Sequence, residues 1–164
     1  MTKEQYEKWT KNLREDDNAR ESLIKLNTTL TYLCYFLYPL LLVLAYFADK
    51  SEFLRILFTA GIPFVVFSLV RRFLNFKRPY EELDIDPIIK KKTKGKSFPS
   101  RHIFSCFLIA MCWMKYSHVL GIFLIFAGLF LAVARVLGGV HYPRDVIVGG
   151  ITGIVCGVIG MFVI

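Results

Sequence analysis

Five stretches of this chain contain no aspartate, glutamate, lysine or arginine: 28–47, 56–70, 103–114, 119–134 and 146–164. Together they make up half of the 164 residues. A bilayer core about 30 Å thick is crossed by roughly 20 predominantly apolar helical residues. The first and last stretches qualify outright, and the other three reach span length by taking in polar residues at their ends. A soluble domain of this size has no interior large enough to hide five such segments. The expected fold is all-α, a polytopic membrane helix bundle of about five transmembrane helices, preceded by a polar or interfacial N-terminal helix.

The remaining composition narrows the possible partners. The net charge is +8, but the basic residues lie between apolar spans instead of forming one compact basic domain. The expected partners are the bilayer and a membrane lipid, not nucleic acid. Cys34, Cys106, Cys112 and Cys156 all fall inside apolar segments, where thiols usually behave as small hydrophobes and not as disulfide or zinc ligands. Residues 1–27 hold six basic and six acidic side chains without an apolar core, which is no secretory signal.

Two regions follow: a polar or amphipathic segment over 1–27, and a membrane-embedded domain over 28–164. In the first, Tyr6, Trp9 and Leu13 share a helical face that either rests among lipid headgroups or belongs to a solvated helix. In the second, helices are expected over about 28–47, 53–70, 100–116, 118–134 and 145–164. Gly149, Gly153 and Gly157 form a small-xxx-small stripe, a face for close helix packing. Five spans place the N-terminal segment, the 71–102 connection and the 135–144 connection on one side of the membrane. Most polar residues able to do chemistry are on that side.

Three clusters stand out there. Arg71 precedes Arg78-Pro79 by seven residues, two helical turns, so an extension of the second span would aim both guanidiniums one way before Pro79 ends it. By itself this pair also fits a positive membrane-flanking cluster. Phe98-Pro99-Ser100-Arg101-His102 lies at the start of the third span, where Ser100 suits an N-cap and the free amides suit a phosphate. Arg135 precedes His141 by six residues, and Asp145 follows four residues later. Asp145 can then accept from one imidazole nitrogen and leave the other as a nucleophile. Three arginines, two histidines, one carboxylate and two helix N-termini point to phosphoryl transfer through a phosphohistidine. The motifs contain no second carboxylate for a metal, so neither metal nor other cofactor is expected.

In their order and spacing these clusters resemble the type 2 phosphatidic acid phosphatase superfamily of membrane lipid phosphatases. The family pattern is Lys-x6-Arg-Pro, Pro-Ser-Gly-His and Ser-Arg-x5-His-x3-Asp. The resemblance spans about 71–164 and implies residue roles. Arg71, Arg78 and Arg135 would hold the phosphate, and Ser100 and the Arg101 amide would add hydrogen bonds. His102 would be the general acid, and His141 the nucleophile oriented by Asp145. Three positions depart from the pattern: Arg71 replaces Lys, Arg101 replaces Gly, and Ala134 replaces Ser. The Arg101 side chain either adds a fourth guanidinium or restricts the pocket. The chain also has about one span fewer than the usual six-helix members.

The implied activity is hydrolysis of a lipid phosphomonoester or pyrophosphate, of the phosphatidate, phosphatidylglycerol phosphate or polyprenyl pyrophosphate class. Alternatives are a lipid phosphotransferase with the same site, or a non-enzymatic protein binding anionic lipids through its basic face. Two arguments conflict over the side of the membrane. Of 21 lysines and arginines, all but Lys50, Arg55 and Lys115 lie on the site side, which the positive-inside rule makes cytoplasmic. The family resemblance implies an extracytoplasmic site, and that is the expectation taken here.

Overall fold

The structure, a computed structural model, describes residues 1–163. The chain forms α1 (Lys3–Glu15), α2 (Asp17–Ala48), α3 (Lys50–Leu74), a one-turn α4 (Pro79–Glu82), α5 (Arg101–Tyr116), α6 (His118–Leu137) and α7 (Pro143–Val158). A π-helical turn, Ile159–Val163, continues α7. No strand occurs among the described residues, and the protein is a multi-pass helical membrane bundle.

Single residues make three of the helix junctions. Asp16 ends α1 and caps α2, accepting from the amides of Asn18 at 2.8 Å and Ala19 at 3.3 Å. Asp49 ends α2 and caps α3 through the Ser51 amide at 2.8 Å. Ser117 ends α5 and caps α6 through the Leu120 amide at 3.3 Å. Each side chain satisfies helix-start donors that otherwise have no partner. The α2–α3 and α5–α6 hairpins are therefore tight, and the long polar connections gather at the opposite end of the bundle.

One sequence expectation needs adjusting. The helix that carries the first span does not begin at residue 28: α2 runs unbroken from Asp17 and carries the polar residues before Thr28 with it. Once Asp16 has capped the helix, nothing in 17–27 breaks it. The five apolar helices expected from the sequence are all present. Four helical stretches are long and apolar enough to cross a membrane: Asp17–Ala48, Lys50–Glu82, His118–Leu137 and Pro143–Val163. The fifth apolar helix, α5, has 16 residues, about 24 Å at 1.5 Å per residue. It forms the core of the bundle, with Ile103, Phe104 and everything from Cys106 to Trp113 buried.

The glycine stripe explains how α5 is enclosed. A Cβ on Gly149 would lie 2.6 Å from the Ser100 carbonyl oxygen, and one on Gly153 would lie 2.4 Å from that of Phe104. Only glycine lets the α7 backbone approach α5 this closely. Outward-facing side chains are apolar instead: Phe47, Phe73 and Val119 are 82%, 90% and 77% exposed. Such a surface suits lipid, which has no hydrogen bonds to offer. At the polar end, α1 lies across the connections. Tyr6 is fully buried, and a Cβ on Gly139 would come 2.7 Å from its hydroxyl. Arg14 donates to the carbonyl of Asp86.

Candidate active site

The first arginine pair is built differently from the sequence expectation. Helix α3 stops at Leu74, and Asn75 takes a left-handed conformation with φ of 45°. Pro79 then starts α4, a position it favours because it has no amide to leave unpaired. Arg71 and Arg78 are thus not two turns apart on one helix. They converge because the 93–97 segment folds between them. Arg71 donates to the Lys96 carbonyl. Arg78 donates through Nε to the Gly95 carbonyl and through Nη1 to that of Val140, each at 3.0 Å. Glu81 holds the arrangement by accepting from the amides of Arg78 at 2.9 Å and Gly95 at 2.8 Å.

Ser100 occupies the N-cap of α5, but its hydroxyl makes no capping bond. Its amide donates to the Asp145 carbonyl at 2.8 Å, tying the start of α5 to α7. Its Oγ is buried with no protein partner. Arg101 is exposed and its guanidinium lies 5.4 Å from the centroid of the Phe64 ring, a cation–π contact. Arg135, near the end of α6, is 2% exposed. Its Nη2 reaches Thr31 Oγ1 at 3.4 Å, whereas Nε and Nη1 have no partner among the described residues. Arg71 Nε is likewise buried and unpartnered.

His141 and Asp145 are buried on either side of the α7 start. Asp145 Oδ2 lies 3.4 Å from His141 Nδ1 and accepts from the Tyr142 amide at 3.0 Å and from Ser97 Oγ at 2.5 Å. Burial holds the His141 imidazole well below its ordinary titration range, so it is neutral at pH 7. A neutral imidazole donating from Nδ1 to the carboxylate would keep a lone pair on Nε2. Tyr142 donates to Glu82 at 2.8 Å, which steadies the same turn against α4.

A cavity of about 660 Å³ opens beside these groups, lined by Arg71, Arg78, Arg101 and His102 together with Arg72, Lys91, Lys94 and Lys96. Among the described residues no carboxylate lines it. Ser100, Arg135, His141 and Asp145 are buried near the cavity and do not line it, with Arg135 and His141 in electrostatic reach of His102. A smaller gap lined by Arg101 and His102 shares Cys34, Tyr35, Phe64, Ser105 and Ile109 with an apolar groove of about 360 Å³ between α2, α3 and α5. The eight sequence-derived site residues therefore come together at one end of the bundle. Sequence reasoning missed Ser97, which no motif distinguishes, and the entry of Lys91 into the cavity wall, which the surrounding lysine run concealed. Among the described residues no three His, Cys, Asp or Glu side chains converge as metal ligands.

A helix bundle with membrane-length apolar helices, clustered arginines and a carboxylate-braced histidine at one end defines a class of polytopic integral-membrane proteins. The chain belongs to the PAP2 superfamily, whose family model matches residues 52–163. The crystal structure of Aquifex aeolicus LpxE is similar, with a TM-score of 0.71 and 28% identity over 92% of this chain and 93% of that one. The structure of a PAP2-type phosphatidylglycerolphosphate phosphatase from Bacillus subtilis shares the fold at a TM-score of 0.65 and 21% identity, covering 83% of this chain and 73% of that one. No curated protein matches the chain.

Proposed function

We propose that this protein is a metal-independent lipid phosphatase that hydrolyses a membrane lipid phosphate through a phosphohistidine on His141. The observation that carries the reading is the set of buried, unpartnered donors, Arg135 Nε and Nη1, Arg71 Nε and Ser100 Oγ, near a neutral histidine braced by Asp145. Buried N–H groups without acceptors are costly, and a phosphate would supply those acceptors bidentately. The apolar groove between α2, α3 and α5 suits the lipid tail, which would approach from the bilayer beside Phe64. Membership of the PAP2 superfamily and the phosphatase activity named for the Bacillus subtilis protein support the same reading.

In this reading His141 Nε2 attacks phosphorus while Asp145 accepts from Nδ1–H and stabilises the imidazolium that forms. The bond to the leaving oxygen breaks, and His102 gives that oxygen a proton. The incoming phosphate carries the negative charge that lets His102 keep a proton among so many cations. Water, deprotonated by His102, then attacks the phosphohistidine and releases inorganic phosphate and neutral His141. Arg71, Arg78 and Arg135 bind the equatorial oxygens, where charge concentrates in the transition state. The catalytic end is assigned to the extracytoplasmic face, and residues 28–164 are taken as the catalytic domain.

The test is phosphate release by the detergent-solubilised chain from a panel of lipid phosphates with chelator present. Release from at least one, abolished by His141→Ala, is expected. Intact proteins that release none, or an active His141→Ala variant, would overturn the assignment.

A further inference from the structure

Three arginines, Arg71, Arg78 and Arg135, are enough to bind one phosphate, yet the cavity wall is far more cationic than that. Arg71, Arg78, Lys91 and Arg101 line it, Arg135 is buried nearby, and none of these five has a carboxylate within ion-pair distance among the described residues. Lys91 differs from its neighbours in the lysine run. Lys90 pairs with Asp86, and Lys92 is exposed and outside the cavity. Lys91 is half-buried in the wall of the cavity that Arg71, Arg78 and Arg101 also line. Burial, then Arg135, Arg78, Arg71 and Arg101 in turn, push its ammonium down to about 8. An ammonium held among like charges without a counterion is repelled unless an anion completes the cluster. A single phosphate dianion, already met by three guanidiniums, leaves Lys91 and Arg101 uncompensated.

We propose that Lys91, with Arg101, holds a second phosphate bonded directly to the one that is hydrolysed, so that the preferred headgroup is a lipid diphosphate. This deepens the phosphatase reading and rests on it. Arg101, over Phe64 where cationic cavity and apolar groove meet, can reach the phosphate that joins the tail. Because Lys91 lines the same cavity as Arg71, Arg78 and Arg101, two adjoining phosphates fit this cluster better than a second phosphate placed far away on a large headgroup.

Binding of non-hydrolysable phosphonates to the detergent-solubilised full chain, followed by calorimetry at pH 7, tests this without requiring turnover. Methylenediphosphonate should bind about tenfold tighter than methylphosphonate, and tighter than a diphosphonate whose phosphorus atoms are three carbons apart. Lys91→Met should weaken methylenediphosphonate by about tenfold and methylphosphonate by less than about threefold. Lys92→Met should change neither by more than about twofold. Equal losses for both ligands in Lys91→Met, equal effects of Lys91→Met and Lys92→Met, or equal affinity for the long-spaced diphosphonate would overturn the proposal. Selective binding without hydrolysis of any lipid phosphate would overturn the phosphatase reading and leave only a diphosphate-binding site that includes Lys91.

Discussion

Ser97 Oγ donates to Asp145 Oδ2 at 2.5 Å, with both residues fully buried. The same oxygen receives the Tyr142 amide and faces His141 Nδ1. Ser97 is therefore a positioning residue for the histidine it never touches. Ser97→Ala should lower kcat by about 10- to 150-fold with little change in KM, since a lost buried hydrogen bond to a charged group costs about 1.5–3 kcal/mol. Ser97→Thr should restore part of the rate. A change confined to KM, or unchanged single-turnover rates in Ser97→Ala, would remove the role.

The two histidines should separate by leaving group. His141→Ala should abolish turnover of every substrate. His102→Ala should slow a lipid alkyl phosphate by about 100-fold or more, in the range of general-acid catalysis, but p-nitrophenyl phosphate much less, because its leaving group needs little protonation. Equal losses on both substrates would take the acid role from His102.

Burial depresses His141 in the folded protein, which sets the sign of its effect on stability. Above the ordinary histidine range both folded and unfolded states hold it neutral, and its contribution is fully present. As pH falls through about 6.5 the unfolded chain takes up a proton that the folded protein refuses, so stability is lost. Thermal unfolding in detergent should therefore fall less between pH 7 and pH 5 in His141→Gln than in the parent. Parallel decreases would show that His141 is not the group responsible.

Activity should survive EDTA, because guanidiniums meet the phosphate charge and Asp145 is engaged by Ser97, Tyr142 and His141. Vanadate should inhibit by imitating the five-coordinate phosphorus. Loss of turnover in EDTA that magnesium restores would contradict these roles.

The side of the membrane is open to direct labelling. Ser97 is buried and would give no signal, whereas Lys92 is exposed in the same connection. A Lys92→Cys variant should react with a membrane-impermeant thiol reagent in intact cells. Protection until the cells are broken would place the site inside, as the distribution of basic residues suggests.

Much of this protein is written in local sequence. Charge-free stretches marked the helices, because hydropathy is a property of consecutive residues. Asp16, Asp49 and Ser117 made tight junctions because a cap acts on amides two or three residues away. Spacing, together with the family resemblance, also named the eight candidate site residues, and the glycine stripe its packing face. Tertiary structure decided what depends on residues far apart in the chain. The guanidiniums of Arg71 and Arg78 meet through carbonyls of the 95–96 segment, not along one helix. Ser97 and Asp145 are 48 positions apart, and nothing near either announces the bond. Lys91 stood out from the lysine run only when folding buried it against the arginines. Burial and long-range hydrogen bonding are set by how helices pack, and no window of neighbouring residues contains that information.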